Sequence, residues 1–325
     1  MLKIVFMGTP DFAKESLQLL YENGYSILGV VTNPDKPKGR GMKMTFSPVK
    51  QYALEKKLTI YQPDNIKDNP DFINKMRELN PDVICVVAYG KILPKEILEI
   101  PKLGSINLHG SILPKYRGAA PIQWAILNGD TTTGVTTMYM NEEMDSGDII
   151  LKQEVNIDKD ETTGELWNRL STIGANLLIE TLKMIIDGKA PRIKQSKEYT
   201  MAPILKKEIA KISWTNQNAE SIKNLVRGLN PIMGAYSIYH GKKLKFWKVN
   251  SISIDEMIKK FPDNEEEIIT SLPGTIIIAD SKIGLYIKAK EGIIQGVEIQ
   301  SENSRRMNWD EFLRGNALEV KGILE

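Results

Sequence analysis

The first half of this chain alternates between short apolar runs and amphipathic stretches of helical spacing, and few folds accommodate that alternation. "LKIVFM", residues 2–7, reads as a buried strand. Gly8 then turns the chain, and "TPDFAKESLQLLYENG" reads as a helix with Thr9 as cap, Pro10 in the first turn and Gly24 as stop. Phe12, Leu17, Leu20 and Tyr21 recur there at helical spacing. "YSILGVVT" and "DVICVVAYG" read as further buried strands, the second preceded by a helix over "NPDFINKMREL". Strands and helices in this order build βαβ units, so the expectation is an α/β fold with a Rossmann-like, mostly parallel sheet.

"TTTGVTTMYM" adds a strand rich in β-branched residues, and "TTGELWNRLSTIGANLLIETLKMIIDG" a long amphipathic helix that stops at Gly188. A length of 325 residues exceeds the usual single domain. Between Lys189 and Lys207 the pattern turns irregular, with Pro191 and Pro203. The expected division is therefore a first domain over 1–189, a linker over 190–207 and a second domain over 208–325. In the second domain a helix "NAESIKNLVRGL" accompanies closely spaced short strands, "GAYSIYHGKKLKFWKV", "PGTIIIAD" and "GLYIKAKEG", as in a small OB-like β-barrel. Phe261 to Leu272, with Glu265, Glu266 and Glu267, reads as a solvated loop between strands.

The single cysteine, Cys85, sits inside an apolar run, which excludes a disulfide framework and fits a cytoplasmic setting. The opening residues lack the pattern of a signal peptide, and no apolar run reaches membrane-spanning length, so no membrane partner is expected. A formal net charge of only +2 means that any polyanionic partner must be met by local basic clusters.

One of only two histidines lies in "SINLHGSILPKYRGAAP", Ser105 to Pro121. "SINLHG" reads as a short strand in which Ser105, Asn107 and His109 alternate with Ile106 and Leu108, so Asn107 and His109 project to the same side. Gly110 and the "SILP" turn place both at the strand's C-terminal end, where open α/β sheets bind ligands. An amide beside an imidazole can stabilise a developing oxyanion, and the imidazole can move a proton. A buried structural histidine with Asn107 as a turn former is the competing reading. "MNEEMDSGDII" tips the balance: after a strand it turns at Gly147 and offers Asp145 and Asp148, either of which could orient the imidazole.

Other chemistries find less support. No serine sits in a GxSxG elbow, Gly8 does not complete a GxGxxG, and there is no HExxH or CxxC arrangement, so no metal site is expected. What remains is transfer of a group to an incoming nucleophile by a donor that brings its own activation.

"SINLHGSILPKYRGAAP" followed by "TGVTTMYMNEEMDSGDI" resembles the formyltransferases that use 10-formyltetrahydrofolate, with their Asn-x-His and Asp-x-Gly-Asp patterns. The opening "IVFMGTPDFA", "VVAYGKILP" and the barrel-like second domain extend the resemblance over nearly the whole chain. It implies that Asn107, His109 and Asp145 carry catalysis. It also implies a folate site at Ser111, Ile112, Leu113 and Pro114, with the backbone of Val87, Ala88, Tyr89 and Gly90 against the pterin. Ile112 and Lys115 stand where the family commonly has Leu and Arg, and a lysine cannot reproduce a bidentate arginine contact.

Two basic segments remain. Lys36, Lys38, Arg40 and Lys43 crowd an irregular Gly/Pro loop, which by itself fits a solvated loop or a polyanion contact. The resemblance implies the second: an insertion that approaches the acceptor end of initiator methionyl-tRNA, with Arg40 as direct contact. In the second domain Lys206, Lys207, Lys211, Lys223, Arg227, Lys242, Lys243, Lys245 and Lys248 share a stretch with only Glu208 and Glu220 as acids. Trp214, Tyr236, Tyr239, Phe246 and Trp247 are interleaved, as core residues for the most part. Lys206, Lys207, Lys242, Lys243 and Lys245 are the expected phosphate contacts. The expectation is thus a monomeric, cytoplasmic enzyme that uses 10-formyltetrahydrofolate to formylate methionine on initiator tRNA. A formyltransferase for an amino-sugar nucleotide or for glycinamide ribonucleotide, and a non-catalytic RNA-binding protein, are the alternatives.

Overall fold

The computed structural model of the protein describes residues 2–38 and 43–325. Nine strands and six helices come first: β1 (Lys3–Gly8), α1 (Asp11–Glu22), β2 (Ser26–Val31), β3 (Lys36–Lys38), β4 (Lys43–Thr45), α2 (Pro48–Glu55), β5 (Ile60–Tyr61), α3 (Pro70–Leu79), β6 (Val83–Val87), α4 (Lys95–Leu98), β7 (Ser105–His109), α5 (Pro121–Leu127), β8 (Thr132–Tyr139), β9 (Ile149–Asn156) and α6 (Thr163–Ile186). Seven strands form one sheet in the order β5-β2-β1-β6-β7-β8-β9. Pairings from β5 through β7 are parallel, while β8 and β9 run antiparallel. The expected mostly parallel α/β sheet is therefore present.

Continuous apolar runs suit strands covered on both faces. Along β1, Ile4, Val5, Phe6 and Met7 are all fully buried. Val5, Met7, Ile84 and Val86 pack on one side with Phe72, Met76 and Ile97 from the following helices. The chain leaves β1 for β2 and β5, then returns to place β6 on the other side of β1. That reversal opens a crevice at the C-terminal ends of β1 and β6, the place where such sheets take ligands. Gly8 makes the crossing compact, since a Cβ there would lie 2.8 Å from Val87 O.

Thr9, expected as a helix cap, does not cap α1, whose N-cap is Pro10. Its hydroxyl oxygen instead accepts from Asn33 Nδ2 at 3.1 Å and from Asn33 N at 3.3 Å. Within the basic segment, β3 and β4 pair antiparallel, with Lys36 opposite Thr45 and Pro37 opposite Met44. Pro37 fits there, since a proline without an N–H is tolerated in a strand at the edge of a sheet.

Later elements are a 3-10 turn at Lys207–Ala210, α7 (Ala219–Gly228), β10 (Ala235–Tyr239), β11 (Lys242–Ile252), α8 (Ile254–Lys260), a 3-10 turn at Pro262–Asn264, α9 (Glu265–Thr270), β12 (Ile276–Asp280), β13 (Gly284–Lys288), β14 (Ile293–Ser301), β15 (Met307–Asn308) and α10 (Trp309–Gly315). The strands pair antiparallel in the order β10-β11-β14-β13-β12, with β15 on β14. Trp214, Phe246, Leu285, Ile294, Phe312 and residues of α7 make its core. The stretch read as a loop around Glu265–Glu267 is helical instead. Its three glutamates occupy the first turn of α9, where a helix favours negative charge, and Ile268 is fully buried. The preceding α8 opens on a capping box of Ser253 and Glu256, a signal the sequence carried.

The chain divides into two compact units. The first comprises Met1–Ile122, Thr132–Asn156 and Leu166–Ile204; the second comprises Gln123–Thr131, Ile157–Glu165 and Leu205–Glu325. Among the described residues no helix is long and apolar enough to cross a membrane.

Candidate active site

A cavity of about 460 Å³ opens in the first unit beside the C-terminal ends of β1, β6 and β7. β7 sets two of its residues. It lies between β6 and β8, with Asn107 opposite Val86 and Met138, and His109 opposite Thr136. Alternation along the strand turns Asn107 and His109 to one side, and both line the cavity. Phe12 and Trp167 meet edge to face at 5.2 Å and form part of the apolar wall.

The third residue arrives on the turn between β8 and β9. Gly147 makes that turn possible, because a Cβ there would stand 1.7 Å from Tyr139 O. Asp145 adopts a φ of 51°, a left-handed conformation that costs a non-glycine residue about 1–2 kcal/mol. Its Oδ2 accepts a 2.8 Å hydrogen bond from Gly118 N and lies 3.6 Å from His109 Nδ1. Asp148, the other carboxylate offered by the sequence, is turned toward Arg192 Nη1 at 4.0 Å. The imidazole is 7% exposed, and its Nε2 bonds Tyr116 O at 2.8 Å. A carbonyl only accepts, so Nε2 carries a proton and Nδ1 is the nitrogen left to face Asp145 and the cavity.

Two residues of the cavity lining each carry a buried polar atom without a hydrogen-bond partner among the described residues, Asn107 Oδ1 and Tyr89 OH. Leaving such groups unpaired costs about 1–3 kcal/mol each. Burial pushes the Tyr89 hydroxyl up to about 12. The loop after β6 holds Ala88 and Gly90 at φ values of 45° and 78°. Asn33 Nδ2 donates to Tyr89 O at 2.9 Å, and Lys91 Nζ donates to Pro63 O and Asp64 O, each at 2.8 Å, so the loop is anchored on both sides.

Of the folate residues implied by the sequence, Ala88, Tyr89 and Gly90 line this cavity with Asn107, His109 and Asp145. Val87 is fully buried in β6 and is not part of the lining. Ser111, Ile112, Leu113 and Pro114 do not line it either. Ser111 is buried and donates to Lys115 O, while Leu113 packs with Met138 and Ile149. Sequence reasoning passed over Phe12, Trp167 and Met140, which line the cavity, and Arg117 and Gln195 behind it. Arg117 adjoins the histidine motif, and its position there was the available signal. Gln195 lies in an irregular stretch and had none. Among the described residues no group of three or more histidine, cysteine or acidic side chains is placed to hold a metal ion.

The basic residues separate into two kinds. Lys36, Lys206, Lys207, Lys242 and Lys243 are exposed, and Lys243 Nζ lies 4.5 Å over the Tyr236 ring. Lys38 and Lys43 pair in the β3-β4 hairpin, and Arg40 lies outside the described residues. Lys245, expected as a phosphate contact, is half-buried and donates to Met233 O at 2.9 Å; burial, then Lys243 and Arg306, lowers its pKa. Arg227 is buried too, bonded to Asn224 Oδ1 and the Glu161 carbonyl.

Residues 2–182 match the family model described as formyl transferase, and residues 204–317 the one described as formyl transferase, C-terminal domain. A methionyl-tRNA formyltransferase of Clostridioides difficile is 49% identical over 324 residues, 99% of this chain and 100% of that protein. One from Caldanaerobacter subterraneus subsp. tengcongensis is 47% identical over 325 residues, 100% of each chain. Among solved structures, WlaRD, a sugar 3N-formyl transferase crystallised with dTDP and 5-N-formyl-THF, matches with a TM-score of 0.64 at 20% identity, over 94% of this chain and 99% of that one. At that identity the likeness concerns the fold alone.

Proposed function

Because the chain belongs to the formyl transferase family, we propose that it transfers the formyl group of 10-formyltetrahydrofolate to the amino group of methionine on initiator methionyl-tRNA, the reaction that prepares this tRNA for translation initiation. The observation that carries the chemistry is the meeting of Asn107, His109 and Asp145 on one cavity. The acceptor rests on two methionyl-tRNA formyltransferases that match essentially end to end at 49% and 47% identity.

The cavity fits a folate in two respects. It has apolar walls, and Asn107 lines it together with Ala88, Tyr89 and Gly90. When bound, 10-formyltetrahydrofolate supplies a formyl group on an arylamine nitrogen. The protein's residues do the rest. The Asn107 amide and the Nδ1–H of protonated His109 hold the negative charge that develops on the formyl oxygen as the methionyl amine adds. Asp145 supports the protonated imidazole, accepts the proton that the amine sheds, and would return it to the arylamine nitrogen as the formyl C–N bond breaks and tetrahydrofolate leaves. The 3.6 Å separation of His109 and Asp145 leaves room for Nδ1–H to serve both carboxylate and substrate.

In this reading Lys36, Lys38, Arg40 and Lys43 approach the acceptor end of the tRNA, and Lys206, Lys207, Lys242 and Lys243 contact its phosphates. The second unit, with its antiparallel strands and basic surface, is read as an OB-like RNA-binding barrel, and the enzyme as a cytoplasmic monomer. Radiolabelled formyl from 10-formyltetrahydrofolate should appear on initiator methionyl-tRNA and not on an amino-sugar nucleotide offered in parallel. Label on the sugar alone would reject the tRNA acceptor while keeping the folate chemistry.

A further inference from the structure

We propose that Gln195 is a positioning residue for Asp145, acting through the backbone of the turn that carries the carboxylate; this rests on the catalytic role given to Asp145 above. Gln195 Nε2 donates to Asp145 O at 2.8 Å and to Gly147 O at 2.9 Å. Its Oε1 accepts from Arg117 Nε at 3.0 Å and from Arg117 Nη2 at 2.7 Å. Both amide protons and both oxygen lone pairs are therefore used. A flipped amide would set its NH2 against the guanidinium and its oxygen against two carbonyls, so only one orientation is tolerated.

The consequence for Asp145 is geometric. Its carbonyl direction and its φ of 51° together set where its side chain leaves the turn. Gln195 fixes the carbonyl, and Gly118 N fixes the far end of the same residue by donating to Oδ2 at 2.8 Å. The imidazole is held by the same stretch of chain: Tyr116 O bonds His109 Nε2, and the next residue is Arg117. One dipeptide thus orients the imidazole directly and the carboxylate through Gln195.

Gln195 is itself held in place. Ile149 N donates to Ile193 O at 2.8 Å, and Ile193 N donates to Ile149 O at 3.0 Å. Beyond Gln195, Arg117 N donates to Thr200 O at 2.8 Å and Ala202 N donates to Arg117 O at 2.7 Å. The Arg117 guanidinium also stacks 4.4 Å from the Tyr199 ring. A stretch without regular secondary structure is in this way tied to the catalytic turn.

Two substitutions separate the donors from charge. Gln195→Glu keeps an acceptor for Arg117 but has no donor for the carbonyls; Gln195→Met removes the donors without adding charge. Each should lower kcat for formyl transfer to methionyl-tRNA by about 10- to 100-fold, the scale expected when a reacting group is displaced by about 1 Å. The KM values of donor and acceptor should stay within about twofold, and neither substitution should lower kcat further in an Asp145→Ala background. An unchanged kcat, a loss confined to Gln195→Glu, or a loss that adds in full to Asp145→Ala would overturn the proposal.

A second readout needs no activity. With two histidines in the chain, the His109 imidazole ¹⁵N signals are assigned by comparison with His240→Gln. Gln195→Met should shift the His109 signals and leave those of His240 in place; static His109 signals would overturn the proposal. Wild-type protein that formylates no methionyl-tRNA would reject the functional reading, and the imidazole signals would still decide the role of Gln195. Should Gln195→Met not fold, Gln195→Glu gives the same measurement.

Discussion

His109 Nδ1 and Asp145 Oδ2 face each other across 3.6 Å, beyond normal hydrogen-bond length, while each residue is anchored elsewhere by a 2.8 Å bond. The imidazole is tied to Tyr116 O and the carboxylate to Gly118 N, two residues apart in the chain. Catalytic hydrogen bonds are often long before substrate arrives, so the gap is compatible with the catalytic pair proposed above.

Asp145→Asn keeps an acceptor for Gly118 N but removes the charge that supports His109. It should reduce kcat by about 10²- to 10⁴-fold, the range typical of lost acid–base assistance, with little change in melting temperature. Steady-state kinetics beside a thermal melt would check this; a kcat near wild type would remove Asp145 from the mechanism.

Tyr89→Phe deletes a buried hydroxyl that has no partner among the described residues. The ligand-free protein should be stabilised by up to about 1 kcal/mol, since an unmet desolvation cost disappears. Differential scanning calorimetry measures this, and a variant no more stable than wild type would contradict it.

Asp35 gives the protein a pH-dependent element. Burial raises its carboxyl pKa, but hydrogen bonds from Lys50 and Gln62, with the Lys50 charge, outweigh that and hold it below the ordinary value. A depressed folded-state pKa stabilises the protein above the unfolded-state value near 3.8, and the benefit is lost as pH falls through the folded-state value. Asp35→Asn should therefore lower the melting temperature at pH 7 and converge on wild type as pH falls below about 4. A gap that stays constant with pH would contradict this origin.

The exposed and half-buried lysines should behave differently. Lys242→Gln and Lys243→Gln should each reduce the slope of log affinity for tRNA against log salt by about one, with unchanged stability. Lys245→Gln should cost stability instead, because its ammonium bonds Met233 O. Filter binding across a salt series would test the division, and equal slopes for wild type and all three variants would argue against phosphate contacts.

Much of this arrangement was legible in the sequence because it depends on short-range rules. The apolar runs of β1, β2 and β6 and the helices between them dictate a parallel sheet, and period-two alternation puts Asn107 and His109 on one side. Long-range pairings were not legible. Gln195 reaches Asp145 across 50 residues from a stretch with no periodicity, and nothing in the order of residues announces its bonds. Thr9 looked like a cap because capping is local, yet its oxygen is taken by Asn33, 24 residues away. The glutamates of α9 suggested a solvated loop because their charge was more conspicuous than Ile268, which seats that helix on the core.

The most direct measurement is single-turnover transfer of formyl to initiator methionyl-tRNA by wild-type protein and His109→Ala, with tRNA binding followed in parallel. The account predicts rapid transfer by wild type, and for the variant a rate lower by about 10³-fold or more with tRNA affinity preserved. Transfer by His109→Ala at the wild-type rate would contradict it.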